Sequence, residues 1–209
     1  MLPAIAQLNT RNVILASGSP RRKEILERLG VKFNINPSTF PEDLNKTIFS
    51  NPNNYVTRTA LEKGLQVYQS LTNTNPLVIS ADTIIVLDDQ ILEKPVDAAH
   101  AKRILSSLSG RVHEVLTAIV VVFGVSASGQ PLYKTAVERT LVEFGVIGDA
   151  VIDAYVETGE PMDKAGAYGY QGLASAFIPR INGCYYNVVG FPCHRFLSTI
   201  DDLIANGHI

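Results

Sequence analysis

The sequence predicts an α/β protein, a mixed and twisted sheet with helices on both sides. Two observations carry that expectation. Strand-sized apolar runs alternate with segments of helical periodicity from Asn12 to Ala205. Turn signals at Asp88-Asp89, Ser128-Gly129-Gln130 and Asn182-Gly183 join neighbouring strands as hairpins, which a purely parallel sheet does not use.

Asn12 to Ala16 reads as a short strand running into the small-residue loop Ser17-Gly18-Ser19-Pro20. Pro20 suits a first helical position and Ser19 an N-cap. Ile25, Leu26 and Leu29 then share a face before Gly30 stops the helix. The stretch from Asn34 to Asn54 is rich in Asn, Pro and Ser, a candidate mobile flap. A helix follows from about Pro52 to Leu71, with Val56, Ala60, Leu61, Leu65 and Tyr68 at helical spacing. Leu77 to Leu87 is an apolar strand interrupted by Ser80, Asp82 and Thr83, and it turns at Asp88-Asp89 into Ile91-Leu92. Asp97 caps a helix through Leu108 that stops at Gly110. Val115 to Ala127 and Leu132 to Gly145 are long strands, and Asp149 to Glu157 is a helix ending near Gly159. Ala176 to Ile181 and Cys184 to Val189 are expected to pair across Asn182-Gly183, and Pro192 to Ala205 forms a terminal amphipathic helix.

Composition narrows the function. With 46% hydrophobic and 18% charged residues, 209 residues can bury a substantial core. The 18 Lys and Arg against 20 Asp and Glu leave a formal charge of -2, which offers no general attraction to a nucleic-acid backbone. Cys184 and Cys193 lack CxxC spacing, so neither a structural zinc nor a disulfide framework is indicated. The N-terminus lacks a secretory signal, and the longest apolar run, Ala118 to Val125, falls short of the roughly 18 residues of a membrane span. A cytoplasmic location is expected.

Four features could carry chemistry. In Ser17 to Arg22, unpaired helix-start amides, two hydroxyls, Arg21 and Arg22 converge on a place that favours anions. The plainer reading is a capped surface helix with hydrated arginines. In the apolar strand around Ile79, Ile84 and Ile85, Asp82 needs compensation, because a buried carboxylate costs several kcal/mol otherwise. A metal ion or an activated water would supply it, and so would hydrogen bonds from a neighbouring loop. Lys63, Lys94 and Lys164 sit beside turn residues. Singly each is an ordinary solvated lysine, but with the arginines they could clamp a triphosphate of charge about -4. The run Asp163 to Gly172 holds three glycines and two tyrosines, and its Gln171 carries both a donor and an acceptor, suited to a pyrimidine edge. A glycine-rich turn with packed tyrosines is the alternative. His113 either binds substrate or fills a polar edge, and no GxSxG elbow supports a serine hydrolase.

Taken together these motifs resemble the Maf family of nucleotide pyrophosphatases. The matching runs are Leu15 to Arg22, Ala81-Asp82-Thr83, Lys94 to Asp97, Leu108 to Gly110 with His113, Glu160 to Gly169 with Gln171-Gly172, and Asn187 to Gly190. The resemblance implies an elongated inosine-triphosphatase-like fold: one domain over residues 1–209, with two lobes about a central cleft and motifs spanning 15–192. A homodimer is frequent in the family. By the same resemblance Asp82 is the proton acceptor, and Ser17, Arg22, Lys63, Lys94 and Lys164 are substrate-binding. Glu42 is an acidic residue near the metal, which Asp82 would also bind. Arg21, Thr83 and Gln171 match the trio of the dTTP/UTP-cleaving branch, where a Glu at 171 would imply the 7-methyl-GTP branch. The sequence departs from the family at Glu93, Gly64, Phe191 and Tyr170, where Gly, Ala, Leu and an aliphatic residue are usual.

The expected activity is hydrolysis of nucleoside triphosphates (dTTP, UTP and modified pyrimidine nucleotides) to a monophosphate and pyrophosphate. It would use a divalent cation, Mg2+ before Mn2+ or Co2+. The alternatives are a 7-methyl-GTP or other modified-nucleotide pyrophosphatase, and a nucleotide-binding regulatory protein that does not hydrolyse. The second could dispense with Asp82. Nucleic acid and membrane are not expected partners.

Overall fold

The computed structural model describes residues 1–71 and 76–209. Its strands are β1 (Val13–Leu15), β2 (Asn34–Ile35), β3 (Leu77–Leu87), β4 (Gln90–Leu92), β5 (Val112–Val125), β6 (Pro131–Glu143) and β7 (Arg180–Asn182). Its helices are α1 (Pro3–Leu8), α2 (Pro20–Arg28), α3 (Pro52–Ser70), α4 (Ala98–Leu108), α5 (Asp149–Glu157), α6 (Tyr185–Val189) and α7 (Cys193–Ala205). The strands form a seven-stranded sheet in the order β2-β1-β3-β5-β6-β7, with β4 paired to β3. β1 runs parallel to β2 and β3, with Ile14 opposite Asn34 and Val78. β4 is antiparallel to β3, with Ile85 opposite Leu92, and β7 is antiparallel to β6, with Leu141 opposite Asn182. The mixed sheet expected from the turn signals is present.

The chain divides into two compact units. The first comprises Met1–Asp82, Thr117–Glu138 and Gly190–Ile209, and the second Thr83–Leu116 and Arg139–Val189. In the first, β1 and the start of β3 are buried along their whole length, with Leu15, Leu77, Val78 and Ile79 at 0% exposure. Such continuous apolar strands are those of a sheet covered on both faces. α1 packs on α7, which buries Phe196, Ile200 and Leu203. α1 was not expected from the sequence. Six residues are too few to show a period, and no side chain caps its start.

α3 begins where expected, with the Asn51 side chain accepting from the Asn54 amide. Its buried face overlaps the expected one: Val56, Ala60 and Leu61 are buried as expected and Thr59, Lys63, Gly64 and Val67 join them, whereas Leu65 and Tyr68 are only partly buried. Helical spacing alone could not choose between these adjoining stripes.

The core of the second unit gathers Leu105, Leu108, Val142, Phe144, Ile152 and Tyr168. α4 spans the expected residues, and Asp97 accepts from the His100 amide at 2.6 Å. The β3–β4 turn also forms as expected, with Asp88 and Asp89 at φ 49° and 61°, the left-handed corners of a tight hairpin.

One expected hairpin does not form. In place of strands at Ala176–Ile181 and Cys184–Val189, the chain makes a 3-10 turn at Leu173–Phe177, the short β7, and the helix α6. Gly183 serves close packing instead of a two-residue turn: a β-carbon there would lie 2.8 Å from Thr140 Oγ1. The Thr140 hydroxyl accepts from the Cys184 amide at 3.0 Å, and the Asn187 side chain donates to it and to the Val115 carbonyl at 2.9 Å each. These side-chain bonds replace a strand ladder, and tertiary contact overrides the β-branched pattern of Val188-Val189.

Candidate active site

β3 carries Asp82 at its centre, where the residue is 7% exposed. Opposite it α3 presents Lys63, also 7% exposed. The helix comes close because Gly64 has no side chain: a β-carbon there would lie 2.6 Å from Ser80 Oγ. Ser80 in turn donates to the Ala60 carbonyl of α3 at 2.7 Å, tying strand to helix. Across this contact Lys63 Nζ donates to Asp82 Oδ1 at 2.8 Å and pairs with Glu42 Oε1 at 2.9 Å. The carboxylate that the sequence left uncompensated therefore meets an ammonium from its own chain.

Glu42 reaches this lysine from the long stretch before α3. That stretch is fastened to the helix by Gln66, whose Oε1 accepts from the Thr39 amide at 2.9 Å and whose Nε2 donates to Thr39 Oγ1 at 2.7 Å.

The loop ahead of α2 supplies the second cation. Arg22 Nη1 donates to Ser17 Oγ at 3.2 Å, and its Nε donates to the Gly190 carbonyl at 3.0 Å. Burial pushes the guanidinium down from its usual range, attraction to Asp82 and then Glu42 holds it up, and repulsion from Arg21 lowers it again. Pro20 opens α2 and Ser19 precedes it as expected, but Ser19 makes no side-chain cap. Its amide donates instead to Ser17 Oγ at 3.3 Å, so Ser17 organises the loop. Ser17, Arg22, Lys63, Asp82 and Glu42 thus form one constellation in the first unit, with Arg21 beside it.

Two carboxylates converging on one point are hard oxygen donors. Mg2+ takes one or two carboxylates and completes its shell with phosphate oxygens and water. Glu42 and Asp82 fit that donor set. Among the described residues no cluster of three or more His, Cys, Asp or Glu could hold a metal by itself.

The remaining expected residues lie in the second unit. Thr83 follows Asp82 on β3 and is half-buried, and Lys94 is exposed beside buried Pro95. The Gly166 amide donates to the Glu93 carbonyl at 3.1 Å, joining the Lys94 segment to the Gly-rich run. Lys164 donates to the Glu160 carbonyl at 2.7 Å and pairs with Asp163 at 2.6 Å. Gln171 is exposed in the turn closed by the Gly172 amide on the Gly169 carbonyl at 3.0 Å.

His113 proves to be a core residue. It is 2% exposed, its Nε2 lies 2.7 Å from Tyr168 Oη, and its ring meets Phe144 and Tyr168 edge to face. Burial pushes it down to about 4, so it is neutral near pH 7. The sequence reading placed Glu160 in a matching run but gave it no role, and it did not single out Tyr155. Glu160 accepts from the Tyr155 hydroxyl at 3.0 Å and from the Leu173 amide at 3.1 Å, tying α5 to the residue that follows the Gly-rich run. Burial, then the Glu160 bond, raises the Tyr155 phenol, so it stays a donor. A Glu before proline at the head of a glycine-rich run was the available signal.

A buried carboxylate paired with lysine and flanked by an arginine loop is the equipment of a phosphate-handling protein. The chain belongs to the Maf-like protein family, whose model matches residues 12–203. A Bacillus cereus (strain ATCC 10987 / NRS 248) protein named dTTP/UTP pyrophosphatase is 43% identical over 189 residues, covering 90% of this chain and 88% of that one. A Bacillus anthracis protein of the same name is 44% identical over 187 residues, covering 90% and 93%. A human protein named probable bifunctional dTTP/UTP pyrophosphatase/methyltransferase is 42% identical over 202 residues. That match takes in 94% of this chain but only 32% of the human protein's length. Among solved structures, protein VC0702 from Vibrio cholerae covers 95% of this chain at 11% identity and a TM-score of 0.45, too distant to bear on chemistry.

Proposed function

We propose that this protein hydrolyses dTTP and UTP to the nucleoside monophosphate and pyrophosphate. The observation that carries the reading is the buried Asp82–Lys63 pair beside Arg22, reinforced by relatives named for that activity. Asp82 takes a proton from the attacking water. The water oxygen bonds to the α-phosphorus, the bond from that phosphorus to the bridging oxygen breaks, and its electron pair leaves with pyrophosphate. Arg22, oriented by Ser17, lies against phosphate oxygens as charge accumulates on the leaving group. Lys63 holds Asp82 and Glu42 in place. Arg21, Lys94 and Lys164 are further phosphate-binding cations, while Thr83 and Gln171 select the pyrimidine. A divalent cation, Mg2+ for preference, bound through Asp82 and Glu42 would neutralise phosphate charge and lower the pKa of its bound water.

The paired carboxylates favour hydrolysis over a purely regulatory nucleotide-binding role. Among the described residues no helix is long and apolar enough to cross a membrane. A cytoplasmic nucleotide enzyme is the proposed setting, in keeping with Cys184 and Cys193 being outside any disulfide among the described residues. A homodimer rests on family resemblance and is open to light scattering. The test of function is pyrophosphate release from UTP and dTTP with and without Mg2+. Metal-dependent release with UMP and dTMP as co-products is expected, and no release would overturn the reading.

A further inference from the structure

Tyr170 and Gln171 occupy the two corners of the turn that Gly172 closes on Gly169. The Tyr170 ring meets that of Tyr185 edge to face, with centroids 5.3 Å apart and planes at 63°. Tyr185 meets Tyr186 in the same manner at 5.3 Å and 75°. Tyr185 and Tyr186 remain 40% and 36% exposed. Three contiguous phenol rings reaching the surface differ from the scattered apolar side chains of an ordinary exterior. An edge-to-face contact takes up one face of one ring, so a cluster built this way keeps π-surface for a further planar group.

We propose that Tyr170, buttressed by Tyr185, determines how the substrate's base is held: its ring stacks on the pyrimidine while Gln171 addresses the base edge. This inference rests on the nucleotide reading given above. The two residues divide the work by physics. Every nucleobase has a π-face, so a stacking ring adds affinity without choosing between bases. An amide at the base edge discriminates but adds little when its bonds merely replace those to water. The position supports the assignment, since Tyr170 is the immediate neighbour of Gln171 in the same turn.

The experiment compares Tyr170→Leu, Tyr170→Phe and Tyr170→Trp on UTP, dTTP and ribose 5-triphosphate, which has no base. Tyr170→Leu is expected to raise KM for UTP and dTTP on the order of tenfold, with kcat held and the UTP/dTTP ratio unchanged. Phe and Trp should keep the wild-type KM, and ribose 5-triphosphate should not distinguish the variants. A wild-type KM in Tyr170→Leu, or an equal rise for the baseless substrate, would overturn the stack. Melting temperatures of all three variants separate a folding defect from a binding one, because only loss of the stack spares ribose 5-triphosphate. Should the wild type itself fail to turn over UTP, the functional reading falls. The stack is then judged by calorimetric UTP binding, where an unchanged Kd in Tyr170→Leu overturns it independently.

Discussion

The backbone of Gly64 lies against the side chain of Ser80, closer than any β-carbon could approach, and this contact brings Lys63 within 2.8 Å of Asp82. Gly64→Ala should therefore do more than lose helix-side space. Overpacking of this kind costs about 1–3 kcal/mol, and relief by lifting α3 would lengthen the Lys63–Asp82 bond. The expected outcome is a lower urea midpoint together with reduced kcat on UTP. Adding Ser80→Ala should recover part of both, and a single mutant that matches the wild type on both would show that the helix tolerates the methyl group.

Asp82→Asn preserves shape while removing the proposed proton acceptor. Loss of a general base lowers rates by about 10²–10⁴-fold. Pyrophosphate release from UTP and dTTP should fall by that factor while circular dichroism stays native. A kcat equal to wild type would assign the base elsewhere.

Lys63→Met removes the ammonium that pairs with the buried Asp82 carboxylate. Removing one partner of a buried ion pair costs about 3–5 kcal/mol. Urea unfolding should register that loss at neutral pH. Adding Asp82→Asn should recover part of it, and a double variant no more stable than Lys63→Met alone would argue against an electrostatic cause.

His113 gives the fold a pH dependence of definite sign. Its folded value is pushed below the ordinary 6.5 to about 4, so the unfolded chain takes up the proton first as the pH drops. Its contribution is fully present above about pH 6.5 and is lost as the pH falls through about 4, some ~3 kcal/mol in all. In His113→Gln the slope of unfolding free energy against pH should flatten across that window. An unchanged slope would assign the acid sensitivity to other groups.

Gln171→Glu tests selectivity apart from stacking. An added negative charge and the lost amide donor oppose the pyrimidine edge, so kcat/KM for UTP should fall relative to purine triphosphates such as 7-methyl-GTP. Constant ratios across a nucleotide panel would remove Gln171 from base selection.

Much of this architecture was legible in local sequence. Asp97 and Gly110 bracket α4, and Asp88-Asp89 turn β3 into β4, because caps and tight turns are decided by neighbours in the chain. Gly183 misled because its partner, Thr140, is remote in sequence, and the same residue type serves both tight turns and close contacts. At the site, the need for a counter-charge at Asp82 could be read from the surrounding isoleucines, but its identity could not. Lys63 is nineteen residues away, and its burial depends on how α3 is rotated, which spacing did not decide. Glu160 was passed over for a related reason: its bonds to Tyr155 and Leu173 draw on both sides of the chain.

The ammonium of Lys63, shared between Asp82 and Glu42, is ballast that the chain supplies from within itself. Without a visiting ion the two acids have no cause to fly apart. Dialysis against a chelator should silence turnover yet leave the melting curve where it was, and readmitting the ion should restart the enzyme without refolding it.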